Sequence, residues 1–241
     1  MRILITGATS GIGRQLALDY HRDNHQVWAL GRNQKALDEL SAEGLQAVRI
    51  DLEDRDMARD WFTAMTPIDL AILNAGSCEY VDLPEFDSEL VSRVMRTNVE
   101  SMAVSIEGVL PLLRQGERPH LVAVGSSAAY VPLSRAEAYG ASKAAIEYMI
   151  RTLRIDLYRE KIDVSLVCPG FVKTPLTDRN EFPMPFRLSV EEASDRIRRG
   201  IEKRRLEIHF PKRLTFILKA LSLIPEALWI RISQRMVNNE R

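Results

Sequence analysis

The chain has 241 residues, of which 46% are hydrophobic, and this suits one α/β domain with a substantial core. Its 33 Lys and Arg residues balance 33 Asp and Glu residues, so no net charge favours nucleic acid or an acidic partner. Its two cysteines, Cys78 and Cys168, have neither a C-x-x-C partner nor a His at metal-ligand spacing, which predicts reduced thiols in a cytosolic protein and no metal site.

A predicted strand and a glycine-rich turn open the chain. The strand covers Arg2 to Thr6 and leaves no room for a signal peptide, and no apolar run in the chain approaches the roughly 20 residues of a membrane span. Gly7, Gly11 and Gly13 follow with the spacing G-x-x-x-G-x-G, and a helix is predicted through about Arg22. Glycines let the backbone approach a pyrophosphate, and the helix N-terminus supplies N–H donors.

The second predicted strand, Gln26 to Leu30, ends in Gly31 and Arg32. An acid at this distance from the glycines would bond the ribose diol of NAD, whereas an arginine accommodates the 2′-phosphate of NADP. Arg32 therefore favours NADP(H), while NAD(H) stays open because Arg32 could equally lie in solvent.

Two further strands bring polar residues to the same edge of the sheet. Val48 to Leu52 is predicted as the third strand, and its Asp51 is a candidate cap for a helix from Glu53 to Ala64 or a ligand contact, or both. The fourth strand, Asp69 to Leu73, is followed by Asn74-Ala75-Gly76.

A long helix is predicted from Ser88 to Leu113, with Asp87 as its cap and Pro111 bending its end. Asn98 lies in its middle, where asparagine has a poor intrinsic preference. Asn98 is either a tolerated surface residue or a functional one. The free-energy cost of asparagine in the middle of a helix favours the functional interpretation.

A fifth strand, Leu121 to Gly125, is followed by Ser126 and Ser127, and either hydroxyl is a candidate for the site. The next helix, from about Ala136 to Glu160, carries Tyr139 and Lys143, which four-residue spacing places on one face. A cation beside a phenol stabilises the phenolate and lowers its pKa, so Tyr139 is predicted to act as a general acid or base.

These motifs together resemble the short-chain dehydrogenase/reductase superfamily, Tyr-x-x-x-Lys type, and the resemblance covers the chain from about Arg2 to Thr174. It implies a Rossmann-type doubly wound parallel sheet flanked by helices, a three-layer α/β/α fold. It also implies NADP(H) or NAD(H) as cofactor, a small-molecule carbonyl or alcohol substrate, and a homodimer or homotetramer.

The resemblance further implies the roles of individual residues. Its spacing selects Ser126 over Ser127 to hold the substrate oxygen, to which Tyr139 donates a proton, while Lys143 lowers the Tyr139 pKa and grips the nicotinamide ribose. Asn98 marks a local break in its helix and holds a water that joins Lys143 to solvent. The residues expected to hold the cofactor are Gly7, Thr9, Ser10, Gly11, Ile12, Gly13, Arg32, Asp51, Leu52, Asn74, Ala75, Gly76, Tyr139, Lys143, Pro169, Gly170, Val172 and Thr174.

One domain is expected over residues 1–241, and its last quarter, from residue 176 onward, is divided into two segments. Residues 176–210 are predicted as a substrate lid and a last strand; the lid has the run Phe182-Pro183-Met184-Pro185-Phe186, and a surface loop without function is the alternative. Residues 211–241 form amphipathic basic helices, and from Arg196 to Arg241 there are 12 Lys and Arg against 4 Asp and Glu. This tail is expected to cover the cleft or contact a subunit, and the alternative is peripheral contact with an anionic membrane.

An NADPH-dependent reductase of a ketone or aldehyde on a lipophilic small molecule, or the reverse alcohol oxidation, is the function expected. A nucleotide-sensing or scaffold protein on the same fold is the alternative from another class, although such proteins typically lose the Tyr or the Lys. An isomerase or dehydratase is a further alternative.

Overall fold

A computed structural model describes residues 1–180 and 182–238. Residue 181 of the predicted lid and residues 239–241 of the predicted tail lie outside this description. The strands of the described chain are β1 (Arg2–Thr6), β2 (Gln26–Gly31), β3 (Gln46–Arg49), β4 (Leu70–Leu73), β5 (His120–Val124), β6 (Asp163–Pro169) and β7 (Glu207–Phe210). The helices are α1 (Gly11–Arg22), α2 (Gln34–Ala42), α3 (Arg55–Thr63), α4 (Ser88–Met95), α5 (Ser101–Leu113), α6 (Glu137–Asp156), α7 (Val190–Glu202), α8 (Lys212–Leu221) and α9 (Glu226–Asn238).

The strands form one parallel sheet in the order β3-β2-β1-β4-β5-β6-β7. The chain reverses direction across the sheet between β3 and β4, so β1 and β4 lie side by side at the centre. In a doubly wound sheet a ligand binds at this switch point, beyond the carboxyl ends of the strands. The predicted α/β/α fold is confirmed.

Apolar side chains on both faces of the sheet are buried, as expected for a parallel sheet covered by helices. Alternate residues of β1 point to opposite faces, so Leu4 joins one core while Ile3 and Ile5 join the other. The first core includes side chains from α3, α5 and α6, and the second includes side chains from α1, α2 and α7.

The boundaries near Asp51 differ from the prediction. β3 ends at Arg49, which pairs with Gly31, the last residue of β2, so Ile50 and Asp51 lie beyond the ladder. Asp51 does not cap α3, because Asp54 is the N-cap and accepts a hydrogen bond from the Met57 N–H at 3.1 Å. Asp51 instead accepts a bond from the Glu53 N–H at 3.1 Å, within the turn that precedes the helix.

The predicted long helix is interrupted where the resemblance implied a break. α4 is capped by Asp87, as predicted, and is followed by one π-helical turn over Arg96–Glu100 before α5 begins. Asn98 is buried within this turn. A π-helical turn inside an α-helix often marks a functional position. Pro111 lies inside α5, near its end.

The C-terminal helices contact the loop that follows β5. The Trp229 indole N–H in α9 donates to the Pro132 carbonyl at 3.0 Å. Lys219 in α8 forms an ion pair with Glu207 at 2.7 Å, and the same carboxylate accepts a hydrogen bond from the Tyr130 hydroxyl. No described helix is both long enough and apolar enough to cross a bilayer.

His120 lies at the start of β5 with only 2% of its surface exposed. The Ser165 hydroxyl donates to the Arg205 carbonyl at 2.6 Å, so it can only accept from His120 Nε2, 2.8 Å away. His120 Nε2 therefore carries a proton and donates it to Ser165. Burial, assisted by the nearby Arg204, lowers the pKa of His120 to about 3 from an ordinary 6.5.

We therefore expect acid to weaken the fold through His120. Since the unfolded chain binds the proton first, the contribution of the neutral imidazole is present above pH 6.5 and is lost as the pH falls from 6.5 toward about 3. The slope due to this group is at most about 1.4 kcal/mol per pH unit. In urea unfolding across this range, His120→Gln should show a shallower pH dependence than the wild type. His21→Gln is the control, and an identical slope for His120→Gln and wild type would contradict the assignment.

Candidate active site

The turn between β1 and α1 forms a cradle of backbone N–H groups. Ser10 is the N-cap of α1, yet its side chain makes no capping bond, and the first turn of the helix carries no acid. Gly7 and Gly11 have positive φ angles of 65° and 52°, which glycine adopts without strain. The free N–H groups and the helix dipole together suit an anion such as a pyrophosphate.

The end of β2 forms the side of the site that suits the adenosine half of a dinucleotide. A Cβ atom on Gly31 would lie 2.4 Å from Thr9 Cγ2, so only glycine fits beside the turn. The Arg32 side chain is 61% exposed and forms ion pairs with Glu53 at 3.4 Å and Asp51 at 3.7 Å. Each of these three charged residues lines a cavity at the carboxyl ends of the strands, which is described below.

Ser126, Tyr139 and Lys143 meet at the carboxyl end of β5. Ser126 follows β5 and accepts a hydrogen bond from the Ala128 N–H at 3.1 Å, while Tyr139 and Lys143 lie one turn apart on α6. The Lys143 ammonium lies 5.7 Å from the centre of the Tyr139 ring and donates to the Val124 carbonyl at 3.1 Å. These contacts tie α6 to the end of β5.

The direction of the Tyr139 pKa shift differs from the one that the sequence predicts. Burial raises the pKa of Tyr139 to about 12, Cys78 raises it further, and Ser126 offsets part of the rise. Burial also lowers the pKa of Lys143 to about 8 from 10.5. In the protein alone, desolvation therefore outweighs the effect of the neighbouring cation. Near pH 7 the Tyr139 phenol is therefore neutral and the Lys143 amine is still mostly protonated.

Asn98 holds the segment that follows β4. Its Oδ1 accepts from the Ser77 N–H at 2.7 Å, and its Nδ2 donates to the Ser77 carbonyl and to the Ser142 hydroxyl, both at 2.9 Å. One buried amide thereby joins the π-helical turn, the segment after β4 and α6. A Cβ atom on Gly76 would lie 3.0 Å from Asn98 Oδ1, so glycine lets the segment pass close to this amide.

The loop after β6 closes the other side of the site. The Gly170 N–H donates to the Phe210 carbonyl at 2.7 Å, and Thr174 Cγ2 lies 3.0 Å from where a Cβ on Gly11 would stand. The Thr177 hydroxyl accepts from the Thr174 N–H at 3.1 Å. These bonds fix Thr174 beside the glycine turn.

One cavity of about 600 Å³ brings nearly all of the predicted site residues together. Only Gly13 and Asn98 among them do not line it. Gly13 packs behind the turn, where a Cβ atom would lie 2.3 Å from the Gly7 carbonyl oxygen. Ser127, the alternative hydroxyl, is buried and does not line the cavity either. The predicted residues that line it are Gly7, Thr9, Ser10, Gly11, Ile12, Arg32, Asp51, Leu52, Asn74, Ala75, Gly76, Ser126, Tyr139, Lys143, Pro169, Gly170, Val172 and Thr174.

The cavity also has polar lining residues that the sequence analysis does not identify, among them Asn33, Glu53, Thr177 and Arg179. Asn33 could have been found, since an asparagine just before a helix is an N-cap, and it accepts from the Ala36 N–H at 3.2 Å. Thr177 and Arg179 enter through a 3₁₀ turn over Thr177–Arg179, which the weak periodicity of the segment does not indicate.

The cavity fits a nicotinamide dinucleotide. The glycine cradle, the uncapped and acid-free start of α1 and the Ser126, Tyr139 and Lys143 group all line it. A family model described as short chain dehydrogenase matches residues 1–183. The chain belongs to the short-chain dehydrogenase family.

Relatives of this short-chain dehydrogenase support the assignment. An uncharacterized oxidoreductase of Myxococcus xanthus is 33% identical over 97% of the chain and 96% of its own length. An NADPH-dependent 1-acyldihydroxyacetone phosphate reductase of Schizosaccharomyces pombe is 33% identical over 73% of the chain and 62% of its own length. A short-chain dehydrogenase from Sphingobium yanoikuyae in complex with NADPH matches with a TM-score of 0.79 and 25% identity, over 94% of this chain and 97% of that one. The protein is thus an oxidoreductase of this family with a nicotinamide dinucleotide as cofactor.

We expect Asn98 to stabilise the fold of this short-chain dehydrogenase. Asn98→Ala removes three hydrogen bonds of a fully buried amide and leaves the half-buried Ser77 N–H and carbonyl without these partners, so the free energy of unfolding should fall by about 2 to 3 kcal/mol. Asn33→Ala is the comparison, because it removes one exposed capping bond and should cost about 1 kcal/mol. Urea unfolding at neutral pH measures both. The account of Asn98 is wrong if its variant loses no more stability than Asn33→Ala.

Proposed function

We propose that the protein reduces a ketone or aldehyde on a lipophilic small molecule, with NADPH preferred over NADH, or catalyses the reverse alcohol oxidation. The observation that carries this proposal is that Ser126, Tyr139 and Lys143 line the same cavity as the glycine cradle. A bound dinucleotide would supply the hydride for reduction. The protein's own residues would orient the substrate and manage the proton.

In this mechanism Tyr139 is the proton donor. Its pKa of about 12 keeps the phenol protonated at neutral pH, so it can donate to the oxygen of the carbonyl as negative charge develops there. The Ser126 hydroxyl donates a hydrogen bond to the same oxygen. Lys143 would stabilise the phenolate that Tyr139 becomes and would hold the hydroxyls of the nicotinamide ribose. Asn98 would support the return of the proton, through a water held by its main chain.

The remaining cavity residues would hold the dinucleotide. Gly7, Ser10 and Gly11 would bind the pyrophosphate with Thr9, Ile12 and Gly13 completing the turn, and Thr174 would bind the nicotinamide amide. Around the adenine and the nicotinamide, the residues proposed to form the walls are Asp51, Leu52, Asn74, Ala75, Gly76, Pro169, Gly170 and Val172.

An aromatic group next to Tyr139 supports a lipophilic substrate. The Phe182 ring of the proposed lid packs edge-on against Tyr80 and Phe171, with ring centres 5.6 and 6.0 Å apart. Burial raises the pKa of Tyr80, and Cys78 and Tyr139 add to the rise. This group would contact the apolar part of a substrate whose carbonyl faces Tyr139. The acylated substrate in the name of the Schizosaccharomyces pombe relative is consistent with this class.

Arg32 supports the preference for NADPH. Both of its ion pairs are exposed, so each is worth no more than about 1 kcal/mol and a phosphate can replace the carboxylates. A 2′-phosphate would then gain charge-assisted hydrogen bonds from the guanidinium.

We expect Tyr139→Phe to lower the turnover of a reducible carbonyl substrate by about 10² to 10⁴-fold, because the proton donor is lost. NADPH binding and the melting temperature should stay close to the wild-type values. Tyr148→Phe is the matched control, since Tyr148 lies on the same helix with 78% of its surface exposed. NADPH oxidation can be followed by its absorbance. Undiminished turnover in Tyr139→Phe would overturn the mechanism.

A second prediction concerns the cofactor. Arg32→Ala should weaken NADPH binding by about 10 to 100-fold, the worth of charge-assisted hydrogen bonds to the phosphate, and leave NADH binding almost unchanged. Arg59→Ala is the control, because Arg59 has a similarly exposed ion pair with Glu107 away from the cavity. Titration of protein fluorescence measures the affinity of the wild type and of both variants for each cofactor. Equal weakening of NADPH and NADH binding would reject Arg32 as the phosphate partner.

A further inference from the structure

A second cavity, of about 230 Å³, lies at the β7 edge of the sheet and is lined by cationic side chains. The C-terminal half of α7, the edge strand β7 and the first residue of α8 enclose it. Its lining includes Arg196, Arg199, Lys203, Arg205 and Lys212 together with His209, and no acid from residues 1–180 or 182–238 lines it. We call it the basic pocket.

The positive charge of the basic pocket is largely uncompensated. Among the side chains that the structure describes, Arg199 pairs with Asp195, while no carboxylate forms an ion pair with Arg196, Lys203, Arg205 or Lys212. Burial and the neighbouring cations, Arg205 among them, lower the pKa of Lys212. The mutual repulsion of these groups would be relieved by an anion in the pocket.

His209 gives the pocket a fixed polar wall. Its Nδ1 lies 2.7 Å from the Thr215 hydroxyl, which itself donates to the Pro211 carbonyl at 3.0 Å, and its Nε2 lies 2.8 Å from the Lys212 ammonium. Burial and nearby lysines lower the pKa of His209 to about 4, so the imidazole is neutral at pH 7. Its Nε2 therefore accepts a hydrogen bond from the Lys212 ammonium, which also lines the pocket.

Apolar side chains project from α8 beside the basic pocket. Phe216 is 60% exposed and Ile217 is 52% exposed, one turn beyond Lys212. The Phe216 ring lies edge-on to His209, with ring centres 5.3 Å apart, and the Lys212 ammonium lies 5.6 Å from its centre. Exposed apolar side chains next to uncompensated cations are typical of a helix that lies on an anionic membrane surface.

We propose that the basic pocket and the exposed face of α8 bind an anionic phospholipid membrane, with the pocket seating the phosphate of one headgroup. Phe216 and Ile217 would enter the boundary between headgroups and acyl chains. Charge complementarity favours this occupant over a second copy of the chain. A two-fold contact through the same face would place the cations of one copy against those of the other.

The test uses the full-length chain with vesicles of phosphatidylcholine alone or mixed with phosphatidylglycerol. The wild type should float with the mixed vesicles only, and added salt should reduce the bound fraction. The triple variant Arg196→Gln, Lys203→Gln, Arg205→Gln should bind them on the order of 100-fold more weakly. The matched control Lys35→Gln, Arg118→Gln, Arg159→Gln removes the same charge elsewhere and should bind like the wild type. Melting temperatures show that the variants are folded, and the single variant Lys203→Gln serves if the triple variant is not.

Further measurements distinguish binding of a membrane from binding of a soluble anion. Phe216→Ser, Ile217→Ser should weaken binding to mixed vesicles by at least about tenfold, while leaving unchanged the pyrophosphate binding that the pocket triple variant removes. Because the glycine cradle also suits a pyrophosphate, only binding that is lost in the pocket triple variant is assigned to the pocket. Such binding without vesicle binding would overturn the proposal in favour of a soluble phosphate ligand. If the control triple variant loses as much vesicle binding as the pocket triple variant, the binding depends on net charge alone and the proposed pocket is wrong. If the wild type is a dimer that does not bind vesicles, and the pocket triple variant is a monomer, the face is a contact with a second copy and the proposal is wrong.

Discussion

The turn after β1 lies directly against the end of β4, and the rest of the site depends on this contact. A Cβ atom on Gly7 would lie 2.8 Å from Ala75 Cα, so no side chain can stand between the two segments. The Thr6 hydroxyl accepts from the Asn74 and Ala75 N–H groups at 3.0 and 3.1 Å. Because β1 and β4 meet at the switch point of the sheet, this close approach sets the crevice into which the cofactor fits.

Lys143 extends the same crevice to the reactive group. Its ammonium is bonded to the last residue of β5, and Ser126 comes two residues later, so one buried cation aligns α6 with the end of the strand. Burial disfavours the charged form of each side chain, so it raises the pKa of Tyr139 and lowers the pKa of Lys143. A bound cofactor and substrate would bring polar groups to Tyr139 and Lys143. These groups would offset the cost of burying the charged forms and so favour proton transfer.

The sequence predicted most of the strands and helices, because apolar runs and glycine spacing are local signals. The family resemblance named 18 of the residues that line the cavity, while others, Thr177 and Arg179 among them, were missed. The sequence did not indicate the end of β3, since the ladder stops where β2 ends at Gly31, a partner that lies elsewhere in the chain. Of the two roles it offered for Asp51, the cap of α3 is wrong, because Asp51 and Asp54 are both suitable and only the turn decides between them. It also gave the wrong direction for the Tyr139 pKa, because burial is a tertiary property. The catalytic and cofactor roles of single residues stay predictions.

The measurement that tests the central claim most directly is the melting temperature of the wild type in the presence of NADPH or NADH. A ligand that binds only the folded protein at 100 times its dissociation constant stabilises it by about 2.7 kcal/mol, which is readily detected. The account predicts a rise with NADPH that exceeds the rise with NADH at equal concentration. No shift with either cofactor would contradict the assignment of the cavity to a nicotinamide dinucleotide.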